Sequence, residues 1–268
     1  METSVTVILP TLGRASLSRS IQSIASQTFL GIEVIVIDDS PEQEVNYLSP
    51  IKIFRTGGGK GPSYARNLGI EHARTNWVAF LDDDDFWLPT HIEDLLNFCS
   101  RYQLDAAFSS AVVAGKIRPI KVYNGEIDPL VAIYENASWR KTNYYLPTPG
   151  LIVSREILAH LAFNSNMRER EDLWFAHKIF EYQFRLQQSS DVTLVVDQNS
   201  LRSISRTSLN ADLDWSCRLE LISSSTKDNF LTGVAFRNAV LRLDFNGLKE
   251  IAKLYPQRNW FFWLLSRF

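Results

Sequence analysis

The sequence predicts an α/β protein built on a mostly parallel central sheet with helices on both faces. Two observations carry that expectation. Apolar runs of strand length alternate with stretches of helical period along the first hundred residues. Two of those runs end in acids, at Asp38 and Asp39 and at Asp82, Asp83, Asp84 and Asp85. In open parallel sheets, ligands gather outside the carboxyl ends of the strands, so both acidic clusters are expected to face one cleft.

Residues 5–9 read as a first buried strand and 10–14 as the loop after it. Leu17, Ile21, Ile24 and Ala25 recur at helical spacing, which predicts an amphipathic helix ending near Gln27. Residues 33–38 form a second strand and 51–54 a shorter third. Gly57, Gly58, Gly59 and Gly61 make a flexible loop, and Pro62 suits the first position of a helix reaching about Ala73. Residues 77–81 are the fourth strand, followed by a helix over 89–101 with Ile92, Leu95, Leu96 and Cys99 on one face. Beyond it the pattern loosens. Residues 105–123 read as strands, 125–146 as a polar and aromatic region, and 147–154 as a segment with a short strand leading to a helix near 155–161. Residues 171–182 read as helix and 192–196 as strand, and the helical period resumes from Asp212.

With 268 residues, 45% of them hydrophobic and 22% charged, the composition is that of a folded globular protein. A net charge of −2 gives no reason to expect nucleic acid. Cys99 and Cys217 are too few and too isolated for a disulfide framework or a zinc site, and Cys99 is expected to be a buried thiol. The first residues enter a strand without a basic region or long apolar segment, so no secretory signal is expected. No stretch reaches the ~18–20 apolar residues that span a bilayer. The expectation is a cytoplasmic protein.

Four adjacent carboxylates repel one another, and each must stay hydrated or find a partner. A hard divalent cation, Mn²⁺ or Mg²⁺, relieves that cost through oxygen ligation by one or two carboxylates, water and substrate phosphates. The alternative is a solvated acidic turn whose last Asp caps the next helix. Three further motifs accompany the acids. These are Asp38-Asp39-Ser40, the helix segment Ala65-Arg66-Asn67-Leu68-Gly69-Ile70, and Arg170-Glu171-Asp172-Leu173-Trp174.

In this order and spacing, over about residues 4–205, the chain resembles the family-2 glycosyltransferases, inverting nucleotide-sugar enzymes of the GT-A fold. The resemblance implies that Pro10, Thr11 and the loop to Arg14 touch the donor, and that Asp39, with Asp38 beside it, lies near its base and ribose. It places Arg66 and Asn67 beside the donor, with Arg66 as a fixed positive charge for the phosphates. The family's Asp-x-Asp motif maps onto Asp82, Asp83 and Asp84. There Asp84 holds the Mn²⁺ or Mg²⁺, Asp82 shares it or positions water or sugar, and Asp83 belongs to the donor site. Asp172 takes the part of the general base, with Glu171 orienting the site or an acceptor hydroxyl. A second register remains open, because matching Leu173 and Trp174 to the family's ending aligns Glu169 and Arg170 with the acidic pair.

One position departs from the pattern, with Ile204 where relatives carry a His and Arg202 or Arg206 as substitutes. No Gln-x-x-Arg-Trp motif of processive polymerases is present, which favours single-residue addition. The implied organisation is a GT-A domain over 1–210, with a nucleotide-sugar half 1–104 and an acceptor half 105–210, followed by a helical region 211–268. The implied activity is metal-dependent transfer of one sugar, from a UDP-sugar by preference, to a glycan or polyprenyl-linked oligosaccharide in surface polysaccharide synthesis. The rivals are a sugar nucleotidyltransferase and a catalytically silent nucleotide-sugar-binding scaffold.

Other features stay open. The Gly57–Gly61 loop reads as a Gly-rich surface turn, with backbone amides offered to phosphate as the alternative. Tyr134, Trp139, Tyr144 and Tyr145 suit sugar stacking and core packing about equally. His177 reads as structural. The segment from Tyr255 to Phe268 holds six aromatics beside Arg258 and Arg267. It suits an anionic membrane interface as a peripheral contact on the cytoplasmic face, or a packed helix.

Overall fold

The structure is a computed structural model and describes residues 3–42, 51–134, 143–167, 169–197, 209–241 and 244–254. Strand β1 (Val5–Thr11) pairs in parallel with β2 (Ile32–Asp38) on one side and β4 (Trp77–Phe80) on the other. Strand β3 (Lys52–Arg55) continues the parallel order beyond β2. Past β4 the sheet becomes mixed. Strand β8 (Leu151–Ser154) runs antiparallel to β4, β6 (Ala106–Val113) antiparallel to β8, and β9 (Leu186–Val196) parallel to β6. The short β5 (Phe86–Trp87) pairs antiparallel with β9, and β7 (Lys116–Arg118) folds back on β6. Tracing these pairings, β1, β2, β3, β4, β6 and β9 all run in one direction, so their carboxyl ends share one edge of the sheet.

Alternation along β1 decides which helix packs where, because successive strand side chains point to opposite faces. Val5, Val7 and Leu9 meet Leu17 and Ile24 of α1 (Leu17–Ala25), and Ile92, Leu95 and Cys99 of α3 (His91–Tyr102), in one buried cluster. Burial pushes the Cys99 thiol up to about 12, as suits an inert core cysteine. Ile8 faces the other way, toward α2 (Pro62–His72). A Cβ built on Gly69 of that helix comes within 2.5 Å of Ile8 Cγ2. Gly69 therefore sets how closely α2 approaches β1. Gly69→Ala should lower stability by about 1 kcal/mol, since overpacking costs ~1–3 kcal/mol and helix propensity returns roughly 1. Urea denaturation measures it, and an unchanged midpoint would mean that Ile8 gives way freely.

Two elements depart from the expected pattern for physical reasons. Strand β9 starts at Leu186, six residues before the apolar run that announces it. Its first half carries Gln187, Gln188 and Ser189, and Gln188 is buried with Nε2 donating to the carbonyls of Ser109 (3.1 Å) and Tyr145 (2.8 Å). Strand β5 has two residues, too few to carry a period.

The chain divides into two compact units, 1–129 with 145–201, and 130–144 with 202–268. The expected boundary at 210 kept 125–146 in the first domain. In the structure 130–144 joins the second unit, where Tyr134 meets Phe230 edge-on at 5.2 Å. That unit is helical, with helices Leu209–Glu220, Ser224–Asn229, Phe236–Leu241 and Phe245–Leu254 and a π-helical turn Phe230–Ala235. Trp215, Leu219, Phe230 and Ile251 are buried within it. Among the described residues no helix is long and apolar enough to cross a membrane. Trp139, Arg202, Ile204, Arg206 and the segment from Tyr255 to Phe268 lie outside the described residues.

Candidate functional site

The acidic run leaves the end of β4 and separates into different environments. Asp83 is buried, its Oδ2 accepting from Thr11 Oγ1 (2.7 Å) and the Leu12 amide (3.2 Å), and its Oδ1 from Arg14 (2.7 Å). It ties the loop after β1 to the end of β4. Thr11 and Arg14, expected at the donor, are thus engaged with Asp83, and Pro10 lies within β1 opposite Ile37. Asp85 is also buried. Its carboxylate accepts from the Asp197 amide (3.0 Å) and its carbonyl from Ser20 Oγ (2.7 Å), which fastens the ends of β9 and β5 to α1. Burial and the Asp82 charge push Asp85 up to about 8. It does not cap α3, which begins at His91 after Thr90.

Asp82 and Asp84 remain accessible, with side chains 33% and 20% exposed. Burial, followed by the Asp82 charge, holds Asp84 above the usual carboxylate range, while Arg14 at 3.1 Å opposes the shift. Among the described residues no three His, Cys, Asp or Glu side chains gather into a cation cage. Asp82 and Asp84 nonetheless supply the hard oxygens that Mg²⁺ or Mn²⁺ takes when water and substrate phosphates complete an octahedron. The donor set fits a cation that arrives with substrate.

Arg66, on α2, is buried rather than on a helix surface. Its two terminal nitrogens reach Asp82 Oδ1 (2.8 Å) and Glu171 Oε1 (3.0 Å), and its guanidinium lies 5.3 Å from the centroid of the Phe163 ring. Burial opposes its charge, but Asp82 and Glu171 hold its pKa above the ordinary arginine value. Phe163 is itself stacked on Phe175 (4.2 Å) and edge-on to Phe80 (5.3 Å), between α4 (Glu171–Glu181) and β4. Asn67, expected beside the donor, clamps this segment. Its Nδ2 donates to the Phe163 carbonyl (2.8 Å), and its Oδ1 accepts from the Phe163 amide (2.9 Å).

Glu171 opens α4 after Arg170, which takes a left-handed φ of 59°. Asp172 follows in the first turn, with Oδ1 accepting from the Leu173 amide (2.8 Å). Burial and the neighbouring Glu171 push Asp172 up to about 7, while the Leu173 amide and Arg66 pull the other way. The helix start at Glu171 favours the register in which Glu171 and Asp172 are the acidic pair over Glu169 and Arg170. Tyr145 lies among the same acids. Burial, then Asp85, Asp172 and Asp82, hold its phenol above the usual tyrosine value.

At the end of β2, Asp38 Oδ1 accepts from the Ser40 amide (2.9 Å) and Oγ (2.6 Å), and its Oδ2 stands 3.7 Å from Arg55 Nε. Asp39 is wrapped by the glycine loop. Its carboxylate accepts from Thr56 Oγ1 and from the amides of Lys60 and Gly61 (both 2.8 Å), and its carbonyl from the Gly59 amide (2.9 Å). Gly57, Gly58, Gly59 and Gly61 make this wrap with φ from 68° to 91°. The amides of Gly59, Lys60 and Gly61 thus serve Asp39, while that of Gly58 donates to Thr56 Oγ1 (3.1 Å). His177 is structural, with Nδ1 2.6 Å from Asp128 Oδ2.

Three residues at the site carry no motif. Arg19 donates to the Asp84 carbonyl (2.8 Å) and to Asp197 (2.7 Å), and Phe163 underlies Arg66. Asp197 ends β9 as Asp38 ends β2, so the rule of strand ends would have found it had the parallel direction of β9 been evident. Arg19 and Phe163 are signalled by nothing in the sequence.

The sequence pattern of the family described as Glycosyl transferase family 2 matches residues 6–161, more than half of the chain. An E. coli protein described as UDP-Glc:alpha-D-GlcNAc-diphosphoundecaprenol beta-1,3-glucosyltransferase WfaP is 30% identical over 97 residues, covering 34% of this chain and 39% of that protein. The succinoglycan biosynthesis protein ExoW of Rhizobium meliloti is 33% identical over 119 residues, covering 40% of this chain and 37% of ExoW. Two Haemophilus influenzae glycosyltransferases without a described substrate are matched over 33% and 41% of their lengths. The chain thus spans well under two thirds of the curated relatives it matches. Among solved structures, S. aureus TarS 1-349 aligns with a TM-score of 0.58 at 17% identity, covering 95% of this chain and 92% of that one. That likeness establishes the fold.

Proposed function

The chain belongs to glycosyl transferase family 2, and from that membership we propose a metal-dependent, inverting glycosyltransferase. It moves one sugar from a nucleoside-diphosphate donor to a hydroxyl of a glycan or lipid-linked acceptor. The observation that carries this reading is the meeting of three elements at one sheet edge. The half-buried Asp82 and Asp84, the buried Arg66 bridge and the Asp172 carboxylate all converge there.

Asp172 accepts the proton of the attacking hydroxyl, a task suited to a carboxylate whose pKa lies near 7. Arg66 anchors Glu171 next to it and fixes Asp82 opposite, so the base and the donor-side acids keep one spacing. Asp82 and Asp84 would hold the cation, which when bound neutralises charge on the departing diphosphate. Asp83 and Asp85 keep the ends of β1, β4 and β9 in register around them. UDP is the preferred nucleotide, because the full names of the E. coli proteins WfaP and WfgD specify UDP-Glc. Those names also specify a diphosphoundecaprenol-linked acceptor, which supports a lipid-linked oligosaccharide here, and ExoW supports polysaccharide synthesis.

A thermal-shift panel of UDP-, GDP-, TDP- and CMP-sugars with and without Mn²⁺ tests the donor and metal together. Asp84→Ala should abolish Mn²⁺-dependent stabilisation by UDP while leaving the melting temperature of the unliganded protein unchanged. Retained metal dependence would remove Asp84 from the ligand set. Release of pyrophosphate in place of UDP would point to nucleotidyl transfer.

The segment from Tyr255 to Phe268 is read as a peripheral anchor on the cytoplasmic membrane face. Its support is the set of six aromatics interspersed with Arg258 and Arg267. Replacing both arginines by Glu should free the protein from anionic vesicles, measured by co-sedimentation. Undiminished binding would assign membrane contact elsewhere.

A further inference from the structure

We propose that Asn67 is a positioning residue: by gripping the main chain of Phe163, it holds the ring that spaces the base-bearing helix from the acids of β4. Asn67 follows Arg66 on α2. Its Nδ2 donates to the Phe163 carbonyl (2.8 Å) and to Ser165 Oγ (3.3 Å), and its Oδ1 accepts from the Phe163 amide (2.9 Å). One side chain thus meets both main-chain groups of one residue, as a partner does across an antiparallel ladder. A carboxamide suits this task because its donor and its acceptor stand side by side. Both donor hydrogens and the carbonyl of Asn67 are therefore engaged within the protein.

The Phe163 ring is a common neighbour of the three elements that carry the site. It stacks on Phe175 of α4 (4.2 Å), one turn beyond Asp172. It meets Phe80 of β4 edge-on (5.3 Å), just before Asp82. The Arg66 guanidinium of α2 lies 5.3 Å from its centroid. Phe80, Phe163, Phe175 and Arg66 are all buried, and in a close-packed interior a displaced ring moves its neighbours. Arg66 spans Asp82 and Glu171, so it fixes those acids only as well as the Phe163 ring fixes the guanidinium. Asn67 thereby governs the spacing of Asp172 and Asp82 through Phe163.

The effect on transfer rests on the proposed transferase reading, whereas the mechanical link from α2 to α4 does not. Reacting groups must be held within about 0.5 Å of their productive geometry, and a misplacement of about 1 Å costs up to about 10²-fold in rate. A residue that acts by spacing therefore lowers turnover and leaves donor affinity alone. A residue that touches the donor in the ground state raises KM. The family resemblance expects Asn67 beside the donor, so the two roles predict opposite kinetics.

The test compares Asn67→Ala, which removes the grip, with Phe163→Leu, which keeps the grip and removes the ring. Amide hydrogen exchange on the full chain reads the link without any substrate. Asn67→Ala should speed exchange by roughly tenfold at the amide of Phe163 and at that of Trp174, which closes the first turn of α4 on the Arg170 carbonyl. Phe163→Leu should speed it at Trp174 alone. Calorimetric binding of UDP with Mn²⁺ should stay within about twofold of the unmodified protein in both variants. Turnover is measured with UDP-glucose, Mn²⁺ and undecaprenyl-diphosphate-linked N-acetylglucosamine. There kcat should fall about ten- to hundredfold at an unchanged donor KM. The double variant should fall no further than the worse single one, because both act through one ring. Weakened UDP binding by Asn67→Ala at an intact kcat would overturn the proposal and make Asn67 a donor contact. So would unchanged exchange at Trp174, or a lowered melting temperature with kcat intact. Should Asn67→Ala not fold, Phe163→Leu carries the same comparison through Trp174 exchange and kcat. An unmodified protein without turnover would sink the transferase reading, and the exchange rates would still decide the link.

Discussion

Asp172→Asn is expected to retain donor binding and to lose about 10²-fold or more in transfer rate, the usual consequence of removing a general base. The amide keeps the shape and the contact with the Leu173 amide but cannot take the proton of the acceptor hydroxyl. Two pH dependences follow from its pKa near 7. Transfer in the unmodified protein should rise as pH passes upward through about 7, because the base must be ionised. Stability runs the other way. A carboxyl whose folded-state pKa is raised favours the fold below its unfolded value near 4, and that contribution is lost as pH climbs through about 7. Asp172→Asn should therefore melt at a higher temperature than the unmodified protein at pH 8, and the difference should vanish by about pH 4. A fully active Asp172→Asn beside an inactive Glu169→Gln would transfer the role to the other register.

Arg66→Met should be the most destabilising single change at the site. It leaves Asp82 and Glu171 without their shared buried counter-charge, and breaking such a pair from one side typically costs about 3–5 kcal/mol. Denaturant midpoints at pH 8 and pH 5 report the cause. The loss should shrink at the lower pH as the orphaned acids take up protons, whereas a loss independent of pH would indicate packing over Phe163 alone. Arg66→Lys should recover only part of the stability, since a single ammonium cannot span both carboxylates as the planar fork does. Transfer should fall in both variants, because Glu171 and Asp82 lose their fixed separation.

Much of this was legible in the sequence, and the limits are physical. Strands β1, β2 and β4 are short, buried and apolar, so hydrophobic runs mark them, and the acids at their ends follow from chain direction alone. The identity of Arg66 as a buried bridge was not legible, because its partners lie 16 and 105 residues away and only the folded sheet brings them together. The start of β9 was hidden because Gln188 is buried through hydrogen bonds in place of apolar contact. The family resemblance places Asn67 and Thr11 at the donor, and the sequence does not show what else their side chains hold. In the fold their hydrogen bonds are made to Phe163 and Asp83. Residues 130–144 were read with the first domain because polar composition says nothing about which core a segment joins.

The four consecutive aspartates have a consequence for how such a run tolerates change. Their environments alternate along the chain, with Asp83 and Asp85 turned inward as bolts between strand ends and Asp82 and Asp84 left toward solvent. A mutational scan across the run should accordingly register Asp83 and Asp85 as thermal sensitivity and Asp84 as lost turnover, with Asp82 registering as both because it also partners the buried Arg66. What reads in sequence as one acidic motif is in the fold two interleaved sets, one that holds the frame and one left open to what the frame holds.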